Sequence, residues 1–83
     1  MKKATVYITL KLGVLDPQGK AIQTSLHSLG YKEVNDVRIG KYMELQVADG
    51  PDVEERVKEM CDRLLANPVI EDYRFTVEEA DRP

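Results

Sequence analysis

Apolar and polar residues alternate at the start of the chain. Val6, Ile8, Leu10 and Leu12 fall on one side of residues 4–12, and Thr5, Tyr7, Thr9 and Lys11 on the other, the period of two that marks a half-buried strand. The period then lengthens. Ala21, Ile22, Leu26 and Leu29 recur at three- and four-residue spacing, which predicts an amphipathic helix over residues 17–29. Asp16 is placed to cap its free N–H groups and to meet the positive end of its dipole, and Pro17 stands where no N–H donor is needed. Gly30 suits a left-handed residue just past the helix end. Val34–Ile39 and Tyr42–Ala48 then read as two strands joined by a tight turn at Gly40-Lys41. In the second of them Met43, Leu45 and Val47 alternate with Tyr42, Glu44 and Gln46.

Asp49-Gly50-Pro51-Asp52 opens a second helix with acids at its positive end. Val53, Val57, Met60, Cys61 and Leu64 form its apolar stripe, which places Leu64 at the centre of a helix–sheet core. Asn67-Pro68 stops the helix, because the residue before a proline is pushed out of helical geometry. Val69–Glu79 reads as a last strand, with Tyr73, Phe75 and Val77 on one face, and the polar Asp-Arg-Pro end as a frayed tail. The order strand, helix, strand, strand, helix, strand predicts a single α+β domain over residues 1–83. Its expected form is a ferredoxin-like βαββαβ sandwich, a four-stranded antiparallel sheet with two helices on one face.

A chain of 83 residues buries only about 60–65% of its unfolded surface, so its stability margin is thin and a partner would help. One cysteine excludes an internal disulfide and a cysteine zinc cluster, in keeping with a reducing, cytoplasmic setting. Lys2 and Lys3 lead into an alternating strand and not into the apolar run of an export signal. Twelve basic and fifteen acidic residues, net −3, are interspersed along the chain, which favours neither nucleic acid nor an anionic membrane.

Catalytic chemistry finds little support. His27 stands alone and reads as a surface histidine; Cys61 lies in the apolar stripe and reads as a small buried hydrophobe. Asp52, Glu54, Glu55, Glu59 and Asp62 form a solvated helix face with basic partners at i, i+4, and a helix exterior does not converge on a metal. Gly13 and Gly19 flank a strand-to-helix loop, but Asp16 already sets a negative charge at the helix end where an anion would bind. No catalytic, cofactor-binding or metal-binding residue is therefore expected. The sheet face away from the helices collects Tyr7, Thr9, Tyr42, Glu44 and Arg74, a mix of tyrosine and polar groups suited to self-association. A strand edge offers a second route to the same end.

Four segments taken together resemble a known family. They are Lys11-Leu-Gly-Val-Leu-Asp-Pro-Gln-Gly-Lys-Ala21, Leu29-Gly-Tyr31, Val37-Arg-Ile-Gly-Lys-Tyr42 and Cys61-Asp-Arg-Leu-Leu-Ala-Asn-Pro-Val-Ile-Glu-Asp-Tyr73. In order and spacing the chain resembles the PurS family, the small subunits of phosphoribosylformylglycinamidine (FGAM) synthase. The resemblance implies a subunit of a glutamine-hydrolysing, ATP-dependent ligase of purine biosynthesis, without catalytic residues or a cofactor of its own. It also implies two partners: a glutaminase subunit that releases ammonia from glutamine, and a large synthetase subunit that uses ATP and magnesium. The small subunit, commonly a dimer, bridges them and supports ammonia transfer. No nucleic acid or membrane partner is implied.

Three segments then become candidate subunit contacts: Leu15, Asp16, Pro17, Gln18 and Gly19; Arg38, Gly40 and Lys41; and Asn67, Pro68, Val69, Ile70 and Glu71. Asp16, Pro17, Gly40, Asn67 and Pro68 also have adequate local reasons as caps or turns, whereas no turn requires Gln18, Arg38 or Lys41. On residue chemistry alone, a small-molecule-sensing regulatory domain or a generic dimeric adaptor would use the same elements.

Overall fold

The computed structural model describes residues 1–80. Its centre is β1 (Lys2–Leu10), flanked on both sides by antiparallel partners, β2 (Gly40–Val47) and β3 (Glu71–Glu79), in the order β2-β1-β3. The register stacks the alternating residues in rows. Ala4 lies between Leu45 and Val77, and Val6 between Met43 and Phe75. These rows make the dry face, on which α2 (Val53–Met60) packs; Ala4, Val6, Ile8, Val53, Val57, Cys61 and Ala66 form the core. The central strand is shielded even on its polar side, where Thr5 is buried between Glu44 and Thr76.

The expected sandwich is corrected in two respects. Among the described residues the sheet has three strands and not four: Val34–Ile39 joins no ladder. Its polar groups are taken instead by the first helix, α1 (Pro17–Ser28). The His27 Nε2–H donates to the Val34 carbonyl at 2.7 Å, the Gln23 amide donates to the Asn35 carbonyl at 2.9 Å, and the Ile39 N–H donates to Asp16 Oδ2 at 2.9 Å. His27 is thus half-buried and engaged, not a free surface histidine. Gly40 makes no hairpin turn. It is the first residue of β2, opposite Thr9, where a Cβ would stand 2.5 Å from the Ile8 carbonyl oxygen. Glycine is needed there for close approach of two backbones.

The second correction concerns α1, which adds no side chain to the core; of its residues only Gly19 is buried. With residues 31–39 folded back along it, α1 forms an arm beyond the end of the sheet. Nine residues of strand span about 30 Å and twelve of helix about 18 Å. Together they account for the longest dimension of 50 Å. The radius of gyration is 16.5 Å, against about 12 Å for a compact chain of this length.

Gly30, with φ +102°, ends α1 as its sequence position predicts. The Gly30 N–H donates to the His27 carbonyl and the Tyr31 N–H to the Leu26 carbonyl, the paired bonds of a Schellman ending. At the far end of α2 the chain makes a π turn over Cys61–Leu65, closed by the Ala66 N–H on the Cys61 carbonyl at 3.0 Å. A π turn admits one extra residue. The stripe Val53, Val57, Cys61 therefore continues through Leu65 and Ala66, and Leu64 is 82% exposed instead of central to the core. The last strand begins at Glu71, two residues later than Val69, because Asn67 organises a turn over the intervening residues. The expected frayed tail at 81–83 lies outside the described residues.

Candidate subunit interface

Three separate segments of the sequence meet at one end of the sheet, where β1 leaves and β2 and β3 enter. Gly40 pairs with Thr9, and Glu71 with Leu10. Arg38 Nη2 donates to the carbonyls of Leu10 at 2.6 Å and Lys11 at 3.1 Å, and the Lys11 N–H donates to the Ile70 carbonyl at 2.8 Å. Lys41 Nζ lies 3.8 Å from a Glu71 carboxylate oxygen. The candidate contacts in 15–19, 38–41 and 67–71 thus form one continuous surface.

Each corner of that surface is held by its own local chemistry. Asp16 caps α1 through Oδ1, which accepts from the Gly19 N–H at 2.9 Å, while its other oxygen receives Ile39. The Ile39 and Gly19 N–H groups, with help from the Arg38 charge, hold the Asp16 carboxyl below its ordinary pKa. Pro17 fills the first helical position. Gly19 admits the Val37 carbonyl, which a Cβ would meet at 2.2 Å. At the third corner Asn67 Oδ1 accepts from the Val69 N–H at 3.1 Å and the Asn67 carbonyl from Ile70 and Glu71. Glu71 returns the bond, accepting from the Asn67 N–H at 2.7 Å.

Apolar side chains stand in solvent around this frame: Leu12 at 91%, Leu15 at 78% and Val69 at 79% exposure. Leu12 was expected on the inward face of the first strand. The strand has already ended at Leu10, and a turn closed by the Val14 N–H on the Lys11 carbonyl, with Gly13 at φ +88°, carries Leu12 outward. Gly13 was the signal in the sequence, since a turn of this kind wants positive φ at its third position.

The open face of the sheet gathers the other candidates. Tyr7 lies between Tyr42 and Arg74 in the register. The two rings are 5.5 Å apart, and the Arg74 guanidinium carbon sits 4.0 Å above the Tyr7 ring, within cation–π range. The Tyr42 hydroxyl donates to Glu44 at 2.5 Å, and Lys3 approaches the same carboxylate at 3.4 Å. Tyr42 first, then Lys3, draws the Glu44 carboxyl below its ordinary pKa, and Glu44 in turn raises the Tyr42 phenol. Thr9 extends this face between Gly40 and Asp72.

Cys61 is fully buried, and burial pushes its thiol pKa up. It stands beside a link missed in the sequence, where the Tyr73 hydroxyl donates to Asp62 Oδ1 at 2.7 Å and Lys58 holds the other oxygen at 3.0 Å. Among the described residues no group of three His, Cys, Asp or Glu side chains is placed to hold a metal ion. None of the described helices is long and apolar enough to cross a membrane.

Residues 3–79 match the family model described as "PurS: Phosphoribosylformylglycinamidine (FGAM) synthase". The chain belongs to the PurS family. A PurS relative from Bacillus subtilis, named phosphoribosylformylglycinamidine synthase subunit PurS, is 61% identical over 80 residues, 95% of each chain. The solved B. subtilis PurS superposes with a TM-score of 0.88 over 95% of this chain and 100% of that one. PurS from Methanocaldococcus jannaschii, described as one of the subunits of formylglycinamide ribonucleotide amidotransferase in purine biosynthesis, is 46% identical, with a TM-score of 0.86 over 98% and 100% of the two chains. A chain in the structure named PurLQS from Thermotoga maritima is 28% identical, with a TM-score of 0.79 over 94% and 99%. PurS is thus a subunit of a ligase, FGAM synthase.

Proposed function

We propose that this PurS chain is the non-catalytic bridge of a three-component FGAM synthase, docking a glutaminase subunit onto a large synthetase subunit. The assembled enzyme converts formylglycinamide ribonucleotide, glutamine, ATP and water to the amidine, glutamate, ADP and phosphate. The observation that carries this reading is the likeness over nearly its whole length to a chain of the PurLQS structure. ATP and magnesium belong to the synthetase partner, and this chain supplies none of the chemistry. The setting is the cytoplasm.

A bridge acts through geometry. Ammonia released into water at neutral pH is protonated and lost as a nucleophile, so a docked assembly that keeps it sequestered gains from proximity and from exclusion of water. The surface at the strand ends sets exposed Leu12, Leu15 and Val69 around a hydrogen-bonded frame, the mix of apolar and polar groups from which protein contacts are made. The chain acts as a homodimer, which gives the assembly two such surfaces.

Glutamine-dependent and ammonia-dependent amidine synthesis by the purified glutaminase and synthetase subunits, each with and without this chain, tests the reading. Glutamine-dependent turnover is expected to require the chain while ammonia-dependent turnover barely changes. Equal glutamine-dependent rates without it, and no co-elution with the pair, would overturn the bridge.

A further inference from the structure

β3 is an outer strand of the sheet, and among the described residues no strand pairs with its far edge. The bonds at its two ends fix which of its backbone groups are spent. The Ala80 N–H donates to the Met1 carbonyl at 3.1 Å, and the Lys11 N–H to the Ile70 carbonyl at 2.8 Å. In an antiparallel ladder such bonded pairs recur at every second residue. Asp72, Arg74, Thr76 and Glu78 therefore bond inward to β1, and Tyr73, Phe75, Val77 and Glu79 turn their N–H and C=O groups outward. The register runs unbroken from Lys2 against Glu79 to Leu10 against Glu71, and the strand has no proline. A bulge and a proline, two of the devices that guard a free edge, are thus missing from it.

Charge selects what this edge accepts. Set two-fold against a second copy about Phe75, the strand would place Glu71 opposite Glu79 and Asp72 opposite Glu78 in both halves. Like charges directly opposed disfavour such pairing. The two ends of the strand also differ. At its start Lys41 lies 3.8 Å from Glu71 and Lys11 3.2 Å from Asp72. At its finish Lys2 pairs with Glu79, Glu78 is exposed, and the cleft that Lys2 and Val77 share with α2 is lined by Asp52, Glu54 and Glu55. The edge is therefore acidic toward Glu79.

Resting on the bridge reading, we infer that β3 takes an added strand from a partner subunit of the synthase. The occupant is an extended segment whose backbone bonds to Tyr73, Phe75, Val77 and Glu79, as in recognition of peptides by strand addition. On the dry side its alternate side chains meet Phe75 and Val77, which are half-buried. It is basic where it lies against Glu78 and Glu79. Nine residues of strand span about 30 Å, so this contact runs well away from the strand-end corner and leaves that corner to the other partner.

Hydrogen exchange read residue by residue on the full-length chain, alone and assembled with the glutaminase and synthetase subunits, tests the added strand. In the chain alone the amides of Asp72, Arg74, Thr76 and Glu78 should be slow and those of Tyr73, Phe75 and Val77 fast. Assembly should slow the second set by on the order of ten-fold or more. Fast exchange at those three in the assembled complex would overturn the inference, and so would their protection in the chain alone, the mark of pairing between copies. Glu78→Lys with Glu79→Lys changes exposed positions only, so it should fold and weaken assembly several-fold, less so as salt rises. Assembly unaffected by that reversal would overturn the basic occupant. A chain that never joins the pair overturns the bridge as well, whereas fast exchange within a complex active with glutamine overturns the added strand alone.

Discussion

A Cβ placed on Gly19 would stand 2.2 Å from the Val37 carbonyl oxygen. The arm is therefore closed by backbone meeting backbone, with no side chain that could swing aside. Gly19→Ala should force residues 34–39 off the helix, at a cost of about 1–3 kcal/mol in line with other overpacked sites. Hydrogen exchange would show the loss as faster exchange at Tyr31 and Ile39 with β1 still protected. Gly50→Ala is the control, since a Cβ there meets nothing nearer than Asp52 Oδ1 at 3.8 Å. Equal protection in the two variants would mean that the arm does not depend on this contact.

Asp16 gives the same joint a pH dependence. Its carboxyl is held below the ordinary value by the Ile39 and Gly19 N–H groups and by Arg38. A depressed folded pKa stabilises the folded state above the unfolded pKa of about 3.9, and that contribution is lost as pH falls through the lower folded value. Protection of the Ile39 amide should therefore be level at neutral pH and fall steeply only in strong acid. Asp16→Asn should remove that acid step while keeping a partial cap. An acid step unchanged in the variant would assign it to another carboxylate.

The π turn makes a sharp distinction between neighbouring leucines. Leu64→Ala should change stability by no more than about 0.5 kcal/mol, as exposed sites do. Ile8→Ala, in the core at 1% exposure, should cost about 2–5 kcal/mol. Denaturation midpoints at matched slope settle the order. A large loss at Leu64 would mean that the helix runs on without the extra residue.

Cys61 should behave as an apolar side chain. Buried on the stripe with its thiol pKa raised by burial and by Asp62, it presents no thiolate to an aromatic disulfide reagent. Labelling in native buffer should be slower than that of a free thiol by orders of magnitude, and immediate in denaturant. Fast native labelling would show that the end of α2 opens readily.

Elements whose partners are adjacent in sequence were legible. Asp16, Pro17 and Gly30 announce a helix, and the alternation in 4–12, 42–48 and 69–79 announces three strands, which the structure bounds at Lys2–Leu10, Gly40–Val47 and Glu71–Glu79, because caps and strand periods are local chemistry. What failed depended on distant contacts. Val34–Ile39 has the composition of a strand, but its polar groups are claimed by His27, Gln23 and Asp16. Leu64 matches a helical stripe until the π turn shifts the phase by one residue. Gly40 looked like a turn glycine and is a contact glycine. The site fared likewise: three segments were singled out for their residues, and only the register with the Asp16–Ile39 and Arg38 hydrogen bonds showed that they adjoin.

Gln18 and Arg38 separate a docking role from a structural one at that surface. Gln18 is exposed on the first turn of α1, so Gln18→Ala should leave folding and arm protection unchanged. If the surface docks another subunit, glutamine-dependent turnover should fall several-fold at subunit concentrations near the assembly constant and recover at saturation, a pattern of weakened binding. Arg38 spends its guanidinium on the Leu10 and Lys11 carbonyls. Arg38→Ala should therefore loosen the root of the arm as well, raising exchange at Ile39 together with the assembly constant. Arg38→Lys would restore the charge but not the paired donation, so it should rescue neither fully. Unchanged turnover for Gln18→Ala at limiting subunit concentration would move the docking surface away from the arm root and toward the Asn67–Glu71 corner.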